Sequence, residues 1–320
     1  MTTYIIRRVL WGIVLIILVS ALTFVFFNIL PSGNPAQLRA GRNSSPATIA
    51  HIAHELGIDK PIYTQFFDYM KNILLHFNFG YSFYSGASVL SLIKDRLPAT
   101  LSLTGGAAII WLLMGIPVGI ISAIKRGSWL DRTAMTIALA FVSMPIFWLG
   151  VILLFLFAND IGQWHIFPGA NTYVGLTVSP VHWFTSLLLP WFTLAATSAA
   201  IYSRVLRGSL IEAMGEDYIR TARAKGLSER RVIWRHGVRS AITPVVTIFG
   251  LDVGALLGGA VITEQVFAIP GIGRLNYTAI IQSDFPIVQG TVILGALFIV
   301  VANILVDISY AFLDPRVRYS

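Results

Sequence analysis

Six stretches of this chain are apolar for about 20 residues or more, enough to cross a bilayer as helices. They fall at 9–30, 97–124, 130–158, 187–206, 241–267 and 288–312, and several are long enough to need tilt or an interfacial turn. The first starts after Arg7-Arg8 and is too long for a signal-peptide core. It has no small-x-small cleavage site, so it is expected to stay as an anchor. Only two of the polar stretches between spans carry enough pattern to predict structure of their own.

The first is 31–96. Ser45-Pro46 reads as an N-cap followed by a first-turn proline, and Gly57 ends that short helix. A second helix, 61–77, places Ile62, Phe66, Tyr69, Met70, Ile73, Leu74 and Phe77 on one stripe at spacings of three and four. That stripe either lies on the membrane surface with no specific role, or caps the external mouth of the bundle and receives a partner.

The second is 209–244, a basic insertion carrying Arg220, Arg223, Lys225, Arg230, Arg231, Arg235 and Arg239. Ser209-x-x-Glu212 reads as a capping box opening a helix, and Glu216 stands four residues before Arg220 in the favourable orientation. Gly226 ends that helix and Ser228 caps the next, in which Val232, Ile233 and Trp234 supply apolar contacts. Helix, break, helix predicts a rigid docking element for a soluble partner. The plainer reading is a solvated face that only sets topology.

Composition agrees with the span count. At 320 residues, 56% hydrophobic, 12% charged and mean hydropathy +0.74, the chain is an integral membrane protein. Its net charge of +8 is explained by basic loops at one membrane face, which excludes nucleic acid as the reading of that charge. With the N-terminus inside, most of the 23 Lys/Arg, including Lys125, Arg126, Arg132, Arg204, Arg207, Arg316 and Arg318, are cytoplasmic. Both termini are then expected in the cytoplasm. The regions are an anchor helix 1–30, an external helical insertion 31–96, a five-helix core 97–312 holding the cytoplasmic loop 207–240, and a tail 313–320.

Candidate chemistry is sparse. No cysteine is present, and no lysine follows a glycine as a phosphate-binding loop requires, so the chain carries no such ATP site. His51, His54 and Glu55 stand in the order H-x-x-H-E rather than H-E-x-x-H, and the other histidines fall in loops, so no metal and no catalytic residue is assigned. The fifth span is more informative. Gly250, Gly254 and Gly258 form a flat ridge for close helix approach. Asp252, about 200° around the helix from Gly250, points away from that ridge. As the one acid assigned near mid-membrane, it lines a translocation path, bonds a neighbouring helix, or sits protonated and inert.

The sequence DYIRTARAKGLSERRVIWRHGVRSAITPVV resembles the cytoplasmic coupling segment of bacterial peptide-type ABC importer permeases, specifically the B-type subunit. The likeness extends through YIIRRVLWGIVLIILVSALTFVFF, ELGIDKPIYTQFFDYM, DRLPATLSLT, LLLPWFTLA, GALLGGAVITEQVF, PGIGRL and NILVDISYAFLDPRVRY, in the family's order along nearly the whole chain. Against the importer motif E-A-A-x-x-x-G, Ala222 and Gly226 match, while Arg220 stands at the glutamate and Thr221 at the first alanine. Arg239 stands where sugar importers carry proline, and Pro244 matches a later one. Asn78 stands where relatives carry Asp before a G-x-S run, so a role for that acid is not transferred.

The resemblance implies an all-α, six-span type I ABC importer permease in the bacterial inner membrane, with the helical insertion between helices 1 and 2. It implies a second homologous permease, two ATPase subunits or domains that bind ATP and magnesium, and an external substrate-binding protein. This chain would bind no cofactor itself. Arg220, Ala222, Arg223, Lys225, Gly226, Arg230 and Arg231 are the implied ATPase-coupling residues, with small Ala222 and Gly226 seated in the ATPase groove. Substrates across the family are dipeptides, longer peptides, glutathione, nickel chelates and haem. An ion-coupled secondary transporter is the alternative, and would show inverted repeats and paired intramembrane carboxylates. A membrane scaffold would need neither the ridge nor Asp252.

Overall fold

The computed structural model describes residues 2–29, 35–40, 44–55, 57 and 59–313, so the tail with Arg316 and Arg318 lies outside it. Among the described residues the regular structure is helical, and only the isolated bridges Tyr81–Ser88 and Ala158–Phe167 are β-like. Helix α1 (Thr2–Phe24) continues into a π-helical turn, Val25–Ile29. The inserted segment carries α2 (Pro35–Ala40), α3 (Pro46–Glu55) and α4 (Ile62–His76). Next come α5 (Val89–Ile124), α6 (Trp129–Ser143), α7 (Ile146–Phe157) and α8 (Pro180–Gly215). The basic loop holds α9 (Asp217–Ala224), α10 (Glu229–Arg231), a π-helical stretch Val232–Val238 and α11 (Arg239–Ala241). The chain closes with α12 (Thr243–Leu257), α13 (Val261–Val266), α14 (Ile272–Gln282) and α15 (Phe285–Leu313).

Four of these are long and apolar enough to cross a membrane as single helices: Ile6–Phe27, Val89–Ile124, Pro180–Gly215 and Phe285–Ser309. Two bent pairs, Trp129–Ser143 with Ile146–Phe157 at 102° and Glu229–Ala241 with Thr243–Leu257 at 46°, make six if each pair is one span. The expected third span is therefore broken. Pro145 lacks an N–H and holds the preceding Met144 extended, at ψ 126°, so the helix cannot run through. The expected fifth span also stops short: α12 ends at Leu257, and Gly259 at φ +127° turns the chain into the short α13. Helices α5 and α8 are longer than their apolar windows, because hydropathy ends where polar side chains begin while backbone hydrogen bonding continues. Val89 and Ile93 in the first turns of α5, for example, are buried with Ile272, Ala279, Ile287 and Val288.

The main core lies between α5 and α8. A Cβ on Gly115 would stand 2.9 Å from the Ala199 carbonyl, and one on Gly119 2.8 Å from that of Ser203, so the two backbones nearly touch. In lipid there is no water to exclude, and such close packing is what holds helices together. Trp111, Leu103, Leu187, Tyr202 and Leu206 fill the seam and are fully buried.

The inserted helix α4 packs on the end of α1. Phe24 meets Phe66 at 5.3 Å and Tyr69 at 5.4 Å between ring centroids, and the Thr23 and Tyr69 hydroxyls lie 3.2 Å apart. Burial pushes the Tyr69 phenol up to about 12, so it keeps its proton. Met70 and Ile73 are buried, whereas Ile62, Leu74 and Phe77 are exposed, so the stripe that packs is narrower than the sequence pattern. Upstream, the Ser45 side chain does cap α3, accepting the Thr48 N–H at 3.2 Å, and Gly57 adopts φ +65°.

Candidate functional site

Helix α8 has 36 residues, about 54 Å at 1.5 Å per residue, against roughly 30 Å of hydrocarbon. The helix is thus longer than one crossing needs, and its last turns, from Arg204 and Arg207 on, lead into the basic loop. Ser209 and Glu212 lie inside α8 rather than at a helix start, so no capping box forms there. The helix continues because Leu206, Leu210 and Ala213 are buried on one side of it. The break falls at Glu216, which is extended with ψ 151°. Arg220 pairs with Asp217 at 3.3 Å, not with Glu216.

Helix α9 ends in a complete Schellman motif. The Leu227 N–H donates to the Ala222 carbonyl at 3.3 Å and the Gly226 N–H to that of Arg223 at 2.9 Å. The motif requires a left-handed residue, and Gly226 supplies it at φ +75°. A Cβ there would meet nothing within 4 Å, so backbone conformation, not space within the chain, selects glycine. Ser228 stands at the N-cap of α10 but makes no side-chain cap hydrogen bond.

The element has an apolar inside and a cationic outside. Ile219, Ala222 and Val232 are buried together with Met214 and Leu227 against them. Ala222 thus faces the element's own small core rather than outward. Gly237 in the π-helical return lies directly on α8, where a Cβ would meet Met214 Sδ at 2.8 Å and Leu210 Cδ1 at 3.1 Å. Arg223 grips Glu229 across the turn through Nε and Nη2, at 3.1 and 2.7 Å. That pair holds the Glu229 carboxylate below its ordinary range and raises Arg223. Lys225, Arg230 and Arg231 are exposed and make no ion pair among the described residues. Of the expected apolar contacts, Val232 is buried, Ile233 is half-buried, and Trp234 is exposed, as is Tyr218.

The glycine ridge packs on α15. A Cβ on Gly250 would meet Val306 Cγ2 at 1.8 Å, one on Gly254 would meet Ala302 Cβ at 2.7 Å, and one on Gly258 would meet Gly295 Cα at 3.1 Å. Asp252, on the other face, is half-buried and accepts the Tyr202 hydroxyl at 2.9 Å. Tyr202 in turn packs against Trp111, with ring centroids 5.8 Å apart.

Among the buried acids that the sequence pattern did not single out are Glu264 and Asp284. Glu264 is fully buried: Oε1 accepts the Thr100 hydroxyl at 2.8 Å and Oε2 the Arg274 N–H at 2.8 Å. Thr100 also accepts the Ile272 N–H at 2.8 Å, so α5 and α13 together cap the N-terminus of α14. Gly271 at that cap has no room for a side chain, because a Cβ would stand 2.3 Å from Glu264 Cδ. Asp284 accepts the Ser82 hydroxyl and the N–H groups of Phe83, at 3.0 Å, and Tyr84, at 3.4 Å, which seats the loop before α5. In that loop Asn78 Oδ1 accepts the Gly80 N–H at 2.9 Å, a local turn of its own. No cluster of three or more metal-ligating side chains occurs among the described residues.

Residues 115–319 match the family described as the inner membrane component of binding-protein-dependent transport systems, and residues 1–104 match its N-terminal membrane component. The chain belongs to this family. A peptide transport system permease protein of Brucella abortus (strain 2308) is 43% identical over 320 residues, covering 100% of both chains. The glutathione transport system permease protein of Escherichia coli (strain K12) is 39% identical over 319 residues, again with full coverage. A methionine ABC transporter in an inward-facing conformation superposes with a TM-score of 0.55 at 19% identity, covering 70% of this chain and 97% of that one. At that identity the superposition speaks to fold alone. This inner-membrane permease has the type I ABC importer fold, and its membership sets aside the secondary transporter and the scaffold.

Proposed function

We propose that this permease forms half of the translocation path of a peptide importer and that its α9–α11 element is the surface on which cytoplasmic ATPases act. A second homologous permease completes the path, two ATPase subunits hold the ATP and magnesium, and an external binding protein delivers the ligand. The peptide class rests on relatives named as peptide and glutathione permeases. The observation that carries the coupling reading is the element itself: internally packed, rooted on both α8 and α12, and cationic only on its outer face. Its charge, together with that of the other basic loops, supports a topology with both termini in the cytoplasm.

In this reading the element works as a lever. Arg220 and Arg223 are engaged with Asp217 and Glu229 and stiffen it. Lys225, Arg230 and Arg231 remain to pair with acidic groups of the ATPase, and exposed Trp234 and Tyr218 supply apolar anchors. Closure of the ATPases on ATP moves the lever as one body and opens the path outward; hydrolysis resets it.

Gly226→Ala introduces a side chain at a left-handed residue and is expected to loosen the turn by about 1–2 kcal/mol. Gly226→Trp adds bulk toward the partner and is expected to leave ATP hydrolysis running while peptide uptake into reconstituted vesicles falls. Wild-type uptake per ATP in the Trp variant would discard the lever. Reversing Lys225, Arg230 and Arg231 to Glu together is expected to abolish co-purification of the ATPases with the permease, a loss that rises with falling ionic strength.

A further inference from the structure

Arg207 stands on α8 two turns before the break that releases the coupling element. Its Nε donates to Asp131 Oδ1 at 2.7 Å and its Nη2 to Asp131 Oδ2 at 2.8 Å, a two-point grip that fixes orientation as well as distance. Asp131 is buried in the first turn of α6. Its Oδ2 also accepts the Gly127 N–H at 2.9 Å, and its own N–H donates to Ser128 Oγ at 3.3 Å. The carboxylate therefore joins the α5–α6 turn, the start of α6 and the root of the lever at one point.

What lies beside this joint matters as much. A cavity of about 450 Å³ opens between α6 and α8, lined by Met135, Ile201, Arg204, Val205 and Arg207. The pair thus borders an open groove between the two helices. Further along, α6 meets α8 again where Phe141 and Phe192 stack edge-on at 6.4 Å, shortly before the 102° break into α7. Helix α6 packs extensively on α8, and its contacts include that ring pair at the far end and the charge pair at the near end.

We propose that Asp131 and Arg207 are the positioning residues that carry displacement of the coupling element from α8 into the bent α6–α7 pair. This inference rests on the coupling reading above. A two-point ion pair transmits pull as well as push, whereas apolar surfaces transmit chiefly push. Without it, α6–α7 follows the movement of α8 less faithfully.

The test uses the complete complex, with partner permease, ATPases and binding protein, in proteoliposomes. Asp131→Asn and Arg207→Lys are expected to retain the ATPases at wild-type ratio, while ATP hydrolysed per peptide imported rises roughly fivefold or more. The chain has no cysteine, so Met135→Cys with Val205→Cys can be bridged across the cavity by a short bismaleimide. Bridging is expected to return the ratio in the Asp131→Asn protein toward wild type, which a change in stability alone would not do. Wild-type stoichiometry in both single variants, or a bridge that leaves the ratio high, overturns the proposal. Should Asp131→Asn fail to assemble, Arg207→Lys, bridged and unbridged, decides by the same ratio. A wild-type complex that imports nothing in response to ATP refutes the coupling reading itself, whatever Asp131 does.

Discussion

Glu264→Ala is expected to lower the melting temperature of the detergent-purified permease by roughly 10 °C, the consequence of about 3–5 kcal/mol in a chain of this size. The carboxylate is fully buried and accepts from Thr100 and from the first turn of α14. Truncation leaves those donors with no water to replace it, at about 1–3 kcal/mol for each orphan, and opens a void besides. Glu264→Gln keeps the shape but turns an NH2 toward a donor, so an intermediate loss is expected. Thr100→Val, which removes the hydroxyl bridging Glu264 and the Ile272 N–H, should destabilise in the same direction, and combining it with Glu264→Ala should cost less than the sum. A Glu264→Ala protein melting with the wild type would show that the α5–α13–α14 junction does not depend on this group.

Gly254→Leu is expected to prevent α12 from seating on α15 and to abolish both assembly and uptake. Even one Cβ would stand 2.7 Å from Ala302 Cβ and 3.2 Å from Ile299 Cα, and the second of these is backbone that cannot turn aside. Overpacking of a well-filled interface costs about 1–3 kcal/mol when side chains can give way, and more when a helix must move. Gly254→Ala should be milder, and Ala302→Gly should recover part of its loss by removing the nearest atom. Uptake assays and size-exclusion profiles of the two singles and the double read the coupling directly. Equal losses in Gly254→Ala with and without Ala302→Gly would place the sensitivity elsewhere than at this contact.

The Gly250, Gly254 and Gly258 ridge was legible because a repeat of four residues is a property of one helix, and Gly226 was legible because a lone glycine between helical patterns marks a left-handed residue. The identity of the helix that fills the ridge was not legible, since its contacts on α15, Val306, Ala302 and Gly295, lie far along the chain from Gly250, Gly254 and Gly258. The capping box at Ser209 failed for a related reason: its residues have the right spacing, but burial of Leu206, Leu210 and Ala213 carries α8 straight through them. Pro145 was visible all along. It sits inside a stretch so apolar that hydropathy alone joined α6 and α7 into one span.

The acids divide on the same line. Asp252 stood out because it interrupts an apolar run, and the structure supplies its donor, Tyr202, from fifty residues away. Glu264 sits at the ragged end of a span, where an acid ordinarily meets water, and its partner Thr100 is 164 positions distant. Asp131 reads as an ordinary first-turn acid of a helix until Arg207, 76 positions on, is brought against it. Embedding in a membrane, the order of the helices, the break at Gly226 and the family follow from the sequence alone, because hydropathy, backbone preference and motif are all carried by residues within a few positions of one another. Where the helices bend, which faces meet and which buried polar group satisfies which was decided only by the tertiary structure, because in a low-dielectric interior each such group takes whatever partner the fold brings within hydrogen-bond reach, regardless of its distance along the chain.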